Sequence, residues 1–367
     1  MVIILKKKKI LIASYNLDFG GIETSLINLL KNFNYNKYDV TLYLEEKKGV
    51  FLNDLPSNVN VYEYKVSKSK NKLIRKAMNL ANRLFFMFKN YKRYDASICY
   101  ATYSKPCSFM ARVSSDNRIL FVHNDYTSIY DNENLINFFT GINIRKFNHV
   151  VFVSNESRES LVKLIPDIDS KSITINNFVD QDRIIKLSKE KIKILKNKKK
   201  IFLFVGRLDE HQKKISRIIE CAKVLKNDNE IEFWILGTGE DEKKYKDMIK
   251  RFNLSNVKLL GAAKNPYPYI AKSDYLIITS DYEGFPVVYS ESIILNTPIV
   301  TTINVSDDYI SIPNRFGIIV NKDINDISLE IRKLVKNGFK IKEKVDYNLL
   351  NKQRIEKIEK IMENRND

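Results

Sequence analysis

The stretch 275-YLIITSDYEGFPVVYSESIILNTPIVTT-302 runs an apolar segment into a short polar loop and then into a second apolar segment that opens with proline. Tyr275 to Thr279 read as a buried strand and Ser280 to Phe285 as the loop that follows it. Pro286 suits the first turn of a helix reaching about Asn296, because its fixed φ is helical and its missing N–H is not needed there. Glu283 then lies in the loop and Glu291 in the second helical turn, with Gly284, Phe285 and Pro286 between them. Both carboxylates are acceptors only, so hydroxyl groups are their natural targets, while the helix amino terminus between them suits an anion.

Strand-like runs of the same kind recur outward from this stretch. Towards the amino terminus they are 9-KILIAS-14, 39-DVTLYL-44, 96-ASICY-100, 119-ILFVH-123, 150-VVFVS-154 and 172-SITINN-177. A second series follows: 201-IFLFV-205, 231-IEFWIL-236, 257-VKLL-260, 275-YLIIT-279, 298-PIVTT-302 and 316-FGIIV-320. Continuous apolar strands alternating with helical stretches predict parallel sheets covered on both faces, an α/β chain of two domains. A polar, lysine-rich helical stretch from Asp180 to Lys200 separates the series, which sets domains at 1–180 and 181–345. Residues 346–367 read as a charged terminal helix.

The chain has 367 residues, enough for two cores, and a formal net charge of +18 that calls for an anionic partner. Cys99, Cys107 and Cys221 are too few and too scattered for a disulfide framework or a four-ligand zinc site, which favours a reducing, cytoplasmic setting. The opening MVIILKKKKILIAS has its apolar residues before its lysines, the reverse of a secretory signal. No run approaches the roughly 18 apolar residues of a membrane span.

Ligands of open parallel sheets bind at the carboxyl ends of strands, so residues just after strands are the candidates. Gly20 and Gly21 follow the first strand and precede an amphipathic helix, but no G-x-G-x-x-G dinucleotide fingerprint is present. His123 closes the strand 119–123. In 206-GRLDEHQKK-214, Arg207 offers a guanidinium fork and Lys213 or Lys214 a point charge near a helix start, a combination suited to a diphosphate. Gly237 and Gly239 form another glycine turn after a strand, a wall for the same ligand. A molecule with hydroxyls at both ends and phosphate between them is a nucleotide sugar.

These residues resemble the retaining, GT-B-fold glycosyltransferases of family four. The resemblance rests on 283-EGFPVVYSE-291, the 206-GRLDEHQK-213 loop, Gly20-Gly21, 266-PYPYIAKSDYLIITSDYEGFP-286 and 174-TINNFVD-180, and is weak across residues 50 to 95. It implies two facing Rossmann-like domains with a cleft between them, the donor held by the second, and the terminal helix returning to the first. It further implies that Arg207 and Lys213 hold the donor diphosphate and that Glu291 takes the ribose. The transferred sugar falls to Glu283 with Gly284 and the Phe285, Pro286 and Val287 backbone. Gly20, Gly21 and His123 approach sugar and phosphate from the first domain, and Gly237 lines the donor site. The implied reaction needs no metal and no cofactor beyond the nucleotide sugar, most often a UDP-sugar, so Asp307-Asp308 is read as a solvated turn.

Residues 65-KVSKSKNKLIRKAMNLANRLFFMFKNYKRY-94 carry ten basic side chains and no acid, interleaved with large apolar residues. That pattern reads either as a membrane-surface helix or as a core-facing helix with a charged outer face. The first reading predicts peripheral placement on the inner membrane face and a lipid-linked or polysaccharide acceptor in capsule, lipopolysaccharide or exopolysaccharide synthesis. Two other readings remain: a basic nucleic-acid-binding protein, which leaves Glu283 and Glu291 without a purpose, and a sugar-nucleotide epimerase on the same fold. The expectation is that no nucleic acid is bound.

Overall fold

The computed structural model describes residues 6–18, 20–128, 130–192, 198–306 and 310–363. The chain divides into two compact units, one formed by residues up to Phe178 together with those from Leu349 onward, the other by Val179–Asn348. In the first unit the order is β1 (Lys8–Ser14), α1 (Gly21–Asn32), β2 (Tyr38–Leu44), β3 (Asn60–Glu63), α2 (Lys72–Asn90), β4 (Ala96–Cys99), α3 (Lys105–Ser114), β5 (Arg118–Val122), α4 (Asn132–Gly141), β6 (His149–Phe152), α5 (Asn155–Leu164) and β7 (Ser172–Thr174). The second unit holds α6 (Gln181–Leu187), β8 (Lys200–Val205), α7 (Ile215–Val224), β9 (Ile231–Leu236), α8 (Glu242–Phe252), β10 (Val257–Gly261), α9 (Tyr267–Lys272), β11 (Tyr275–Ile278), α10 (Val287–Ile294), β12 (Ile299–Thr301), β13 (Gly317–Ile319) and α11 (Ile324–Asn337). The chain then enters α12 (Tyr347–Glu363).

Both sheets are parallel throughout, in the orders β3-β2-β1-β4-β5-β6-β7 and β10-β9-β8-β11-β12-β13. Strand β1 explains why its sequence is continuously apolar. Ile10 and Ile12 point into a core shared with Leu26, Leu29 and Leu30 of α1 and with Ile358 and Ile361 of α12. Leu11 and Ala13 point the other way, to Met110 of α3, Phe139 of α4 and Leu161 of α5. A strand buried on both faces has no solvent side to mark with polar residues. The terminal helix is tied into this unit by Asn117 Nδ2, which donates to the Ile361 and Met362 carbonyls at 2.9 and 3.0 Å, and by Lys37 with Glu363 at 2.6 Å.

Strand order reverses between β1 and β4 in the first sheet and between β8 and β11 in the second. Loops leaving the two strands at such a point turn to opposite faces and open a crevice between them. In the second unit those loops are 206–214 and 279–286, which contain Arg207, Lys213, Glu283, Gly284, Phe285 and Pro286.

The structure corrects two sequence readings, adds a strand and decides against the core-facing one of the two readings of residues 65–94. Strand β3 was not anticipated: three of its four side chains are exposed or nearly so, and it lies at the sheet edge. Of the helical stretch expected from Asp180 to Lys200, the described residues form α6, capped by the Asp180 carboxylate on the Arg183 N–H at 3.1 Å and finished at Leu187, while residues 193–197 lie outside the described residues. Pro286 is the cap before α10 rather than its first residue. Finally, α2 does not turn its apolar side to a core: Phe86 and Asn90 are its buried residues, while Leu73, Leu80, Leu84, Phe85 and Phe88 are exposed.

Candidate functional site

The crevice of the second unit is closed by contacts between loops 70 residues apart. The Asp281 N–H donates to the Gln212 carbonyl at 2.9 Å, and Gln212 Nε2 returns to the Tyr282 carbonyl at 3.2 Å. Thr279 Oγ1 donates to the Lys214 carbonyl at 3.0 Å and Arg217 Nη1 to the Thr279 carbonyl at 2.8 Å. These bonds hold Lys214 in the left-handed region (φ 50°), a conformation a lysine adopts only when its surroundings impose it. The turn aims Lys213 inward: its Nζ meets Glu283 Oε1 at 2.5 Å, with both side chains largely buried. Glu283 also accepts from Gln212 Nε2 at 3.1 Å and from Ser280 Oγ at 2.7 Å.

Of the two adjacent lysines, Lys213 is therefore the one inside the crevice. Lys214 turns to Asp281 at 3.5 Å, where Arg217 at 2.7 Å and Lys322 at 3.2 Å also converge. Burial acts to raise the Asp281 carboxyl, but Arg217 and Lys322 outweigh it and hold it below the usual carboxylate range. Arg207 lies at the crevice mouth, two-thirds exposed and paired with Asp209 at 3.0 Å. Gly237 has φ 148°, and a Cβ there would stand 1.8 Å from the Gly206 carbonyl oxygen; one on Gly239 would stand 2.2 Å from that of Leu208. Both glycines let the loop after β9 press against the loop after β8.

Glu291 differs in kind from Glu283. It is buried on α10 and Tyr267 hydrogen-bonds to it, with no cation beside it in the described structure; burial pushes its carboxyl up to about 7 despite Tyr267. Phe285 and Pro286 are buried between the two glutamates, and Val287 opens α10. The amino end of α10 thus lies between one carboxylate already ion-paired and another lacking a charged partner, a segment able to meet an anion flanked by hydroxyls.

In the first unit, α1 begins at Gly21, and Glu23 sits in its first turn with its carboxylate against Gly20, where a Cβ would stand 2.1 Å from Oε2. His123 directly follows β5, packed on Tyr100 and Phe121 with ring centroids 4.5 and 5.7 Å away. Burial pushes its imidazole down to about 4, against the opposing pull of the Tyr100 backbone and the Asn177 side chain. Neither ring nitrogen makes a well-formed hydrogen bond within the described residues.

Sequence reasoning passed over Gln212 and Ser280, which complete the shell around Glu283, and Glu210, which accepts from Ser216 Oγ at 2.5 Å and Tyr245 at 3.0 Å and so braces the 206–214 loop. Gln212 stood in the loop already selected, next to its lysine; only the fold brings Ser280 to it. Among the described residues no three His, Cys, Asp or Glu side chains converge as a metal-ligand group, and Asp307-Asp308 lies outside those residues. A shallow concavity of about 390 Å³ lined by Lys6, Lys7, Lys9, Tyr35 and Tyr38 lies at the amino ends of β1 and β2.

Residues 19–183 match Glycosyltransferase Family 4, and residues 186–352 match Glycosyl transferases group 1. The chain is 28% identical over 309 residues, 80% of each chain, to the N-acetylgalactosamine-N,N'-diacetylbacillosaminyl-diphospho-undecaprenol 4-alpha-N-acetylgalactosaminyltransferase of Campylobacter jejuni. It is 28% identical over 163 residues to an uncharacterized glycosyltransferase of Methanocaldococcus jannaschii, spanning 43% of this chain and 40% of that relative. In fold it resembles Anabaena HepE, solved in complex with UDP and glucose, with a TM-score of 0.73 at 17% identity over 96% of this chain and 99% of that one. With both halves matched and the whole chain sharing this architecture, the protein belongs to the GT-B glycosyltransferases of family 4 type.

Proposed function

We propose that the protein is a retaining, metal-independent glycosyltransferase that moves a sugar from a UDP-sugar to a lipid-linked or polysaccharide acceptor in the assembly of a cell-surface glycan. The observation that carries this reading is the Lys213–Glu283–Gln212–Ser280 network at the switch point of the second sheet, with Arg207 at its mouth. On this account the donor diphosphate takes Lys213 and Arg207 from their present carboxylate partners. Glu291 accepts the ribose hydroxyls, while Glu283, Gly284 and the Phe285 to Val287 backbone meet the transferred sugar.

The bond from the anomeric carbon to the diphosphate breaks as the acceptor hydroxyl bonds to that carbon on the same face, its proton passing to the departing phosphate oxygen. Lys213, Arg207 and the amino ends of α7 and α10 stabilise the charge that grows on the leaving group. His123, neutral at physiological pH, offers a hydrogen bond to a hydroxyl rather than a charge to phosphate. UDP is favoured because HepE is solved with UDP and glucose, and a lipid-linked acceptor because the Campylobacter relative is named for a diphospho-undecaprenol substrate. No helix among the described residues is long and apolar enough to cross a membrane. We place the enzyme in the cytoplasm, peripheral on the inner membrane face through residues 65–94, with no nucleic-acid partner.

The test is a thermal-shift screen of UDP-, GDP- and ADP-sugars in chelator, followed by NMR of the anomeric proton in any product. A UDP-sugar should raise the melting temperature and yield a product of the donor's own anomeric configuration. No shift with any nucleotide sugar, or an inverted product, contradicts the proposal.

A further inference from the structure

Strands β1, β4 and β5 of the first sheet lie side by side, and an aromatic residue follows each at the carboxyl edge. Tyr15 comes directly after β1 and Tyr103 in the turn after β4, their rings meeting edge-on with centroids 6.0 Å apart. Tyr126, after β5, hydrogen-bonds to the Thr102 side chain beside Tyr103 and begins a stack. Phe138 of α4 lies 5.3 Å from Tyr126, and Tyr130 lies 5.8 Å from Phe138, with the ring planes within 24° and 20° of parallel. Tyr126 is buried, whereas Tyr103 and Tyr130 are 42% and 41% exposed. The strands alone spread this row over roughly 10 Å, at about 4.8 Å between neighbours, and the stack extends it outward.

The outer end is braced. The Tyr130 N–H donates to the Tyr126 carbonyl at 3.2 Å, Asp125 accepts from the Thr127 N–H at 3.1 Å and from Ser128 Oγ at 2.8 Å, and Asp131 caps α4 on the Asn134 N–H at 2.9 Å. An exposed ring backed by two others and held by its own loop is a fixed platform. Carboxylates stand at the inner end. Glu46 accepts from the Tyr15 hydroxyl at 3.5 Å, and Glu23 and Glu45 are near enough to Tyr103 to act on it electrostatically. Glu45 accepts from Ser104 Oγ and from Cys107 Sγ, both on Oε1. Burial raises the Glu23 and Glu45 carboxyls above their usual range, and among the described residues no cation offsets it at either.

Rings and hydroxyl acceptors in one row are the chemistry that recognises a sugar chain. A pyranose offers C–H groups on its faces, which the negative face of an aromatic ring attracts, and hydroxyls on its rim, which carboxylates accept. Carboxylates lacking cations also disfavour an anionic sugar at the same place.

We propose that this row is a track for the acceptor, on which an uncharged sugar chain of at least two rings lies with its accepting sugar at Tyr15 and Tyr103 and an earlier ring stacked on Tyr130. The inference rests on the glycosyltransferase reading above and adds that the acceptor is read beyond its terminal sugar.

An array of neutral oligosaccharides of one to six rings, built from glucose, galactose and their N-acetylamino forms, with uronic-acid counterparts of each, would be probed with the labelled full-length protein in the presence of UDP. Expected is binding that strengthens from one ring to the longer chains and is weaker for the uronic acids. Tyr130→Ala should weaken the longer chains about tenfold and leave single rings unchanged, Tyr103→Ala should weaken both, and Tyr130→Phe, which keeps the ring, should bind as wild type. All three variants should keep the wild-type melting temperature and the wild-type UDP affinity in calorimetry. Wild-type protein that binds UDP but retains no oligosaccharide overturns the track and leaves the donor reading standing; protein that binds neither overturns the glycosyltransferase reading beneath it. Equal affinity for one ring and for longer chains, or Tyr130→Ala indistinguishable from wild type, confines recognition to the terminal sugar and overturns the row. Tighter binding of the uronic acids overturns the assignment of an uncharged chain. A dimer in light scattering that Tyr130→Ala dissolves, without oligosaccharide binding, assigns the exposed rings to a second copy instead.

Discussion

The residues singled out at the carboxyl edges of the two sheets differ in kind. In the second unit the edge is dense with paired charge: Lys213 with Glu283, Arg207 with Asp209, and Asp281 among Lys214, Arg217 and Lys322. In the first, His123 is held uncharged among aromatic rings, with neither nitrogen well bonded. A crevice that keeps cations ready on exchangeable carboxylates suits a doubly charged diphosphate; a neutral imidazole suits a hydroxyl. The difference teaches that the same sheet topology fixes where ligands bind, while the side chains after each strand decide what charge they carry.

The largest effect separating the edges is expected at Lys213. Lys213→Ala should lower turnover with the preferred UDP-sugar by about 10²–10³-fold. It also leaves Glu283 buried without its cation, which should cost about 3–5 kcal/mol of stability in urea unfolding. Retained turnover in a well-folded variant would remove the distinction between the edges altogether.

The two glutamates sharpen the comparison within the second unit. Glu291→Ala should weaken both UDP and the full donor by roughly 10- to 150-fold, whereas Glu283→Ala should weaken the donor and spare UDP. Calorimetry with both ligands separates the roles, and parallel losses from the two variants would merge them. His123→Asn should reduce turnover about tenfold while leaving UDP affinity unchanged, since one neutral hydrogen bond is at stake. A change in UDP affinity would move His123 to the nucleotide.

Smallest are the pH effects, and they have opposite signs at the two edges. The Glu291 carboxyl lies at about 7 in the fold against 4.5 when free, so it stays protonated there where the unfolded chain has ionised. Its contribution to stability is present below 4.5 and lost as pH rises through about 7. The carboxylate needed for the ribose forms over the same window, so UDP affinity should rise a few-fold from pH 6 to 8, roughly within the first factor of ten of a pKa-linked change. In Glu291→Gln that rise should vanish. His123, at about 4 against 6.5, costs stability as pH falls through that interval. Denaturation midpoints across pH for Glu291→Gln and His123→Asn check both signs.

Much of this was legible in the sequence because buried parallel strands are written as unbroken apolar runs: twelve of them mark twelve strands, each within a few residues of its observed bounds. Strand β3 was not, since an edge strand with exposed side chains resembles a loop. The charged loop residues were legible because they directly follow strands. Their partnerships were not: Gln212 and Ser280 meet Glu283 only through strand order, which no local pattern encodes. The outward face of α2 was hidden for a different reason. Periodicity reveals a stripe, but the direction it faces is decided by Asn79, Asn82 and Asn90 gripping the protein from the other side.

The central claim is that the switch point of the second sheet holds a nucleotide diphosphate through side-chain cations. Calorimetric titration of UDP into the wild-type protein and Lys213→Ala, both in excess EDTA, tests it most directly. The account predicts a wild-type Kd that is unchanged on removing the chelator and supplying magnesium, and a variant weakened by at least about tenfold. Wild-type binding that appears only with magnesium, or a Lys213→Ala Kd equal to wild type in EDTA, would contradict it.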